Sequence, residues 1–154
     1  RLSVADFSDR QEMRNIVELL MAVEAAATQH AAERRSPEDL VMIRARLDAI
    51  QEAIDKGEPG VDEDIAFHRA IIEATGNPFF RDLSDFLDRR VRNFIRTARL
   101  NSARHAGLPQ TVQSEHARIF EAIERQDAQE AREAAESHVR NAAQRLQLYL
   151  SPDK

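Results

Sequence analysis

The sequence predicts an all-α fold, an antiparallel bundle of six helices joined by short connections. Three observations lead there. Apolar residues recur at spacings of three and four along nearly the whole chain, the period of a helix with one buried face. Helix-favouring Ala, Glu, Arg, Leu and Gln dominate, while glycine (4) and proline (5) are scarce among the 154 residues. Those few breakers fall between the periodic segments, and no stretch alternates apolar and polar residues as a half-buried strand would.

Each helix has a local reason. Residues 1–7 read as a tail or linker, and residues 8–154 as one domain. Ser8 is placed as an N-cap with Gln11 three positions on, a capping-box pattern. The first helix then runs over about 9–34, with Met13, Ile16, Val17, Leu20, Val23, Ala27 and Ala31 as its apolar stripe. Ser36-Pro37 restarts the chain, Ser as cap and Pro at the first helical position. The second helix runs to about Asp55 on Leu40, Ile43, Leu47, Ile50 and Ile54. Lys56-Gly57-Glu58-Pro59-Gly60 breaks it. The third helix ends at Gly76-Asn77-Pro78, where Gly or Asn can take the left-handed conformation and Pro blocks continuation. A fourth is expected over about 79–99, with Leu83, Phe86, Leu87, Val91, Phe94, Ile95 and Ala98 facing in. The stretch 101–109 reads as irregular. The fifth helix covers about 111–125, burying Ile119, Phe120 and Ile123. Asp127 with Glu130 then repeats the N-cap signature, and the sixth helix runs to about Leu150.

Composition narrows the function. The length suits one domain with a real core. Hydrophobic residues make up 42% and charged residues 32%, ordinary for a helical globular protein. No apolar run is long enough to span a membrane. Cysteine is absent, which excludes disulfides and thiolate metal sites. A net charge of −5 argues against this chain being a nucleic-acid surface by itself.

The chemistry gathers on four residues. Asp64 and His68 are four apart, so a helix puts both side chains on one face, one turn apart. Phe67, Ile71 and Ile72 lie beside them, so that face looks inward. His116 and His138 lie on the fifth and sixth helices, each eleven residues from Asp127 at the turn between them. Positions equidistant from the turn of an antiparallel hairpin lie at one height, and eleven residues is close to three turns of about 3.6 residues. The two imidazoles can therefore face each other. Taken singly, each histidine is better explained as an ordinary hydrogen-bonded or exposed residue. As a set, one carboxylate and three imidazoles suit a borderline divalent ion such as Zn²⁺, Ni²⁺, Co²⁺, Mn²⁺ or Fe²⁺. His30 reads as a helix-surface residue, and His105 lies in the irregular stretch.

Asp64 with His68, Ala74, Asn77-Pro78, Glu115-His116, Ile119, Ala122-Ile123, Asp127, Ala131 and His138 together resemble the FCD ligand-sensing domain. That is the C-terminal domain of FadR-subfamily GntR transcription regulators. The resemblance covers essentially the whole chain. It implies a bundle of six or seven helices enclosing one cavity. It implies a divalent metal held by one Asp and three His, which carries over to Asp64, His68, His116 and His138. It further implies that a small carboxylate effector, such as a sugar acid, takes the metal's open positions. The same resemblance implies a cytoplasmic homodimer that reaches operator DNA through an N-terminal winged-helix domain upstream, absent from this chain. One departure stands out. Similar sequences often carry an effector-holding arginine four residues before the position of Glu24; here that residue is Leu20. Arg92 and Arg99, seven apart on one edge of the fourth helix, and the nearby Asn101 are substitute effector-binding candidates. The alternatives are that both arginines pair with surface carboxylates, or that the effector is less acidic.

Two rival functions remain at this level. A metal-dependent enzyme of the helical-bundle type would use open metal positions to activate water, with Glu115 or Glu12 as a base. A helical interaction module would hold no metal and show no ligand-dependent stabilisation.

Overall fold

A computed structural model describes residues 7–150, and the described residues form seven helices. They are α1 (Phe7–Arg34), α2 (Pro37–Asp55), α3 (Val61–Ala74), α4 (Pro78–Phe86), α5 (Asp88–Ser102), α6 (Leu108–Arg125) and α7 (Ala128–Leu150). Residues 1–6, most of the expected linker, lie outside the described residues. α1 starts at Phe7, so Ser8 sits within its first turn rather than capping it. The other caps follow the sequence signals. Ser36 accepts from the Asp39 backbone N–H while Asp39 accepts from that of Ser36, the reciprocal capping box. Asn77 accepts from the Phe79 N–H ahead of Pro78. Asp127 accepts from the Glu130 N–H at the start of α7.

α1 packs along α7, and α2 packs against α3 and α6. Two apolar clusters result. The larger joins Ala31, Ile43, Ile50, Phe67, Ile71 and Ile123, all without solvent exposure, to residues of α6 and α7. The smaller joins Ile16 and Leu20 of α1 to Leu87, to Phe94 of α5 and to Val139, Ala142 and Leu146 of α7.

The helix ends at the larger cluster are tied by side chains. A helix leaves its last carbonyls without internal partners. At the C-terminal end of α1, Arg34 donates to the Thr75 carbonyl beyond α3, and Arg35 donates to the Ile123 and Glu124 carbonyls of α6. Gln126 donates back to the Ala32 carbonyl. Three helix termini are thereby satisfied by one another.

The expected fourth helix is two. It breaks at Leu87, and α5 sets off from Asp88. Arg69 of α3 spans the break: it donates to Asp85 at 2.9 Å and to Asp88 at 3.3 Å, linking the end of one helix to the start of the next. Phe86, expected to face in, is 81% exposed, while Leu87 beside it is buried. α5 also continues to Ser102, and α6 begins at Leu108 with Pro109 in its first turn, so the irregular stretch shrinks to 103–107. Proline suits that first turn because its missing N–H would have no helical partner there.

Candidate metal centre

Asp64 lies in the first turn of α3, where the N-terminal end of the helix favours negative charge. One turn on, His68 projects from the same face, and its Nε2 is 3.0 Å from Asp64 Oδ1. α6 and α7 bring His116 and His138 to the same level. Their ring centroids are 4.6 Å apart, and those of His68 and His138 are 5.7 Å apart with near-parallel planes. The mirror relation about Asp127 is realised in space. One ring nitrogen from each of His68, His116 and His138 falls within 4.8 Å of the others. Asp64 Oδ1 lies 3.8 Å from His116 Nε2, so the carboxylate reaches two of the three rings. Phe67 forms the floor, its ring centroid 5.1 Å from that of His116.

The far nitrogens of His116 and His138 are each oriented by a hydrogen-bonding acceptor, while that of His68 lies beside Glu24 without a hydrogen bond. Gln113 donates its amide N–H to the Leu47 carbonyl, which points its Oε1 at His116 Nδ1, 3.2 Å away. His138 Nδ1 donates to Glu115 at 2.7 Å. Glu115 is fixed in turn by two hydrogen bonds from Arg145 and one from Asn141. Glu24 lies 3.4 Å from His68 Nδ1. With Nδ1 as the protonated atom, His116 and His138 each keep an Nε2 lone pair. His116 Nε2 is fully buried and has no hydrogen-bond partner. Outer acceptors of this kind are what metal-ligating histidines ordinarily carry.

The charges are tightly set. Burial opposes ionisation of Asp64, but the hydrogen bond and positive charge of His68, with Arg99, hold its carboxyl well below the usual range. Burial pushes His68 down, yet the carboxylates of Asp64 and Glu24 outweigh it and raise the ring to about 10. Burial dominates at His116 and keeps that ring neutral. Glu115 is disfavoured by burial but is drawn down to about 2 by His138 and Arg145.

The remaining candidates separate. Arg99 is buried, donates to Asp64 at 3.3 Å and to the Pro59 carbonyl at 2.7 Å, and so belongs to the centre. Gly60 makes room for it: a Cβ there would lie 3.2 Å from both the Arg99 guanidinium and the Ala53 Cβ, and the backbone φ of +72° already favours glycine. Arg92 is bound to Asp88 at 2.7 Å rather than to Asp64, although Arg92 and Asp88 line a small cavity that Leu20, Glu24 and His68 also border. Asn101 lines a cavity of about 60 Å³ beside the centre, together with Leu20, Arg99, Arg145, His68 and His138. Glu12 pairs with Arg90 on the surface, and His30 pairs with Glu33. Glu24, Gln113, Asn141 and Arg145 did not emerge from spacing. Gln113 and Asn141 do lie three residues from His116 and His138, a helical repeat that could have flagged them. The contacts of Glu24 with His68 and of Arg145 with Glu115 run between helices far apart in sequence.

The FCD domain family matches this chain over residues 15–141. The chain belongs to the FCD family. It is 30% identical over 139 residues to the galactonate operon transcriptional repressor of Escherichia coli, covering 90% of this chain and 57% of that protein. It is 26% identical over 151 residues to the HTH-type transcriptional regulator LutR of Bacillus subtilis, covering 96% and 68%. It is 27% identical over 127 residues to the HTH-type transcriptional repressor NanR of Escherichia coli, covering 82% and 47%. The chain thus spans about half to two thirds of these relatives. Among the described residues no helix is long and apolar enough to cross a membrane.

Proposed function

We propose that this chain is the effector-sensing domain of a DNA-binding transcription regulator, and that its sensing centre is a divalent metal ion held by Asp64, His68, His116 and His138. The observation that carries the reading is the arrangement of the three imidazoles. They converge beside a carboxylate, their Nδ1 atoms face Glu24, Gln113 and Glu115, and a fully buried His116 Nε2 is left without a partner. Leaving such a nitrogen unpaired costs about 1–3 kcal/mol, a cost that ligating an ion would remove. Zn²⁺ or Ni²⁺ suits imidazole and carboxylate donors. When bound, such an ion supplies open coordination positions that fix one end of a small carboxylate.

The chain's own residues do the rest. Gln113 and Glu115 hold the His116 and His138 rings in one tautomer and orientation. Arg99 keeps Asp64 ionised and aimed at the centre. The apolar walls of α1, α5 and α7 exclude water from the body of the ligand. An effector changes operator binding only by favouring one arrangement of these helices over another. In a homodimer that preference would be passed to DNA-binding domains outside this chain. Sensing rather than turnover fits the relatives, which are named for transcription regulation.

Elemental analysis of protein purified without chelator tests this, beside the quadruple variant Asp64→Ala, His68→Ala, His116→Ala, His138→Ala. The expected result is about one divalent ion per chain, lost in the variant. No ion in either protein, even after soaking with Zn²⁺ or Ni²⁺, would overturn it.

A further inference from the structure

The cavity beside the centre is unequally lined. One end is the histidine cluster with Asp64 and Arg99. The body is hydrocarbon: Leu20 from α1, Val91, Phe94 and Ile95 from the α5 side, and Val139 and Leu146 from α7. Most polar side chains in the lining are already engaged. Glu24 faces His68, Arg99 is shared between Asp64 and Pro59, and Arg145 gives two hydrogen bonds to Glu115. Only Asn101 and Ser102, at the end of α5, line the cavity with no side-chain partner among the described residues. The space is about 60 Å³, small beside the roughly 300–1,000 Å³ of sites that take drug-sized ligands.

We infer that the effector is a short carboxylic acid with a compact hydrocarbon body, carrying at most one or two further hydrogen-bonding groups, and not a polyhydroxylated sugar acid. This deepens the sensing proposal above and rests on it. A sugar acid bears a hydroxyl on nearly every carbon. Within this cavity Asn101, Ser102 and the unused capacity of Glu24, Arg99 and Arg145 could receive only the few that reach the polar groups; the others would lie against Leu20, Phe94 and Ile95, losing water without gaining a partner. A branched aliphatic acid has the opposite balance, with its carboxylate at the polar end and its methyl groups against the walls. Leu20 has the same consequence: its side chain is 5% exposed and extends the apolar wall of α1. Galactonate, for whose operon a relative at 30% identity is named, is then the wrong class of acid for this cavity.

Calorimetric titration of the Zn²⁺-loaded protein with isovalerate, and separately with galactonate, tests the inference. A third titration puts isovalerate into chelator-stripped protein. Isovalerate should bind at least about tenfold more tightly than galactonate, and removing Zn²⁺ should weaken it by about tenfold or more. Galactonate binding equally or better would overturn the hydrocarbon-bodied class while leaving carboxylate sensing intact. Isovalerate binding equally without Zn²⁺ would overturn the placement of its carboxylate at the metal end. If the ion stays bound but neither acid binds, both this inference and the carboxylate-sensing part of the proposal fall.

Discussion

The two apolar clusters are built from similar residues and do different work. In the larger one, Ile43, Ile50, Phe67, Ile71 and Ile123 have no solvent exposure, and the helix ends around it are tied by Arg34, Arg35 and Gln126. In the smaller one, Ile16, Leu87, Phe94 and Val139 are each 5–8% exposed, and Met13, Val17, Leu83 and Val91 are only partly covered. The histidines sit between the two. Phe67 belongs to the solid cluster and supports the rings from below, while Leu20 and Phe94 belong to the looser one and wall the cavity. A sensing site needs both: a platform that keeps ligand geometry fixed, and a side that can adjust when a ligand arrives.

The largest expected effect tests that contrast directly. Ile123→Ala should cost about 4 kcal/mol in urea denaturation, since a fully packed site cannot collapse around the loss. Leu20→Ala should cost nearer 2 kcal/mol, because its neighbours already border a cavity. Equal losses would mean the two clusters are equally packed.

The next effect lies at the centre itself. Gln113→Leu leaves His116 Nδ1 without its acceptor, so Zn²⁺ affinity should fall about 10–100-fold. A chelator-competition titration measures this, and unchanged affinity would remove Gln113 from any role in orienting the ring. Gly60→Ala should then cost about 2 kcal/mol, through the positive φ and the crowding of Arg99 and Ala53. Gly57→Ala shares a φ of +73° but meets nothing within 4 Å, so thermal denaturation should show a cost of only about 1 kcal/mol. If both variants lose the same amount, the close approach of Arg99 is not a constraint.

Proton linkage gives a smaller, signed effect. His68 in the metal-free protein is raised to about 10, so its stabilising contribution is fully present below its ordinary value of 6.5 and is lost as pH climbs through about 10. Metal binding runs the other way, because the ion needs the neutral ring. Apparent Zn²⁺ affinity should rise about tenfold per pH unit across that window, with about one proton released per ion. Calorimetry in two buffers of different protonation enthalpy counts that proton; a count of zero would mean His68 is already neutral. The smallest effect concerns α4. Phe86→Ser should change stability by less than about 0.5 kcal/mol, because the ring is exposed. Leu87→Ser should cost several times more, and the reverse order would restore a single inward-facing fourth helix.

Much of the fold was legible because its causes are local. The capping box at Ser36, the Asn77-Pro78 start of α4 and the Asp127 cap each satisfy backbone groups with side chains two or three residues away. The facing of His116 and His138 was legible for a related reason: one short turn and a fixed rise per residue place residues equidistant from Asp127 at one height. The break at Leu87 was not, because the periodicity of Leu83, Phe86, Leu87 and Val91 is unbroken and the link across it comes from Arg69 on another helix. The same holds for the two arginines. Arg92 and Arg99 are equivalent by spacing, and only the packing of α5 puts one on Asp88 and the other on Asp64 and Pro59.

The sequence by itself therefore determined the all-helical class, most helix boundaries and the meeting of an Asp-His pair with two further histidines, since helix period and capping act within a few residues. The tertiary structure alone decided which acceptors orient those rings, that Arg99 and not Arg92 joins the centre, and that the adjoining cavity is walled by hydrocarbon. Apart from that of Gln113 with His116, three residues on, those contacts join residues far apart in sequence, such as Glu115 with Arg145 and Gln113 with Leu47, and no periodicity links partners whose helices meet only when the bundle closes.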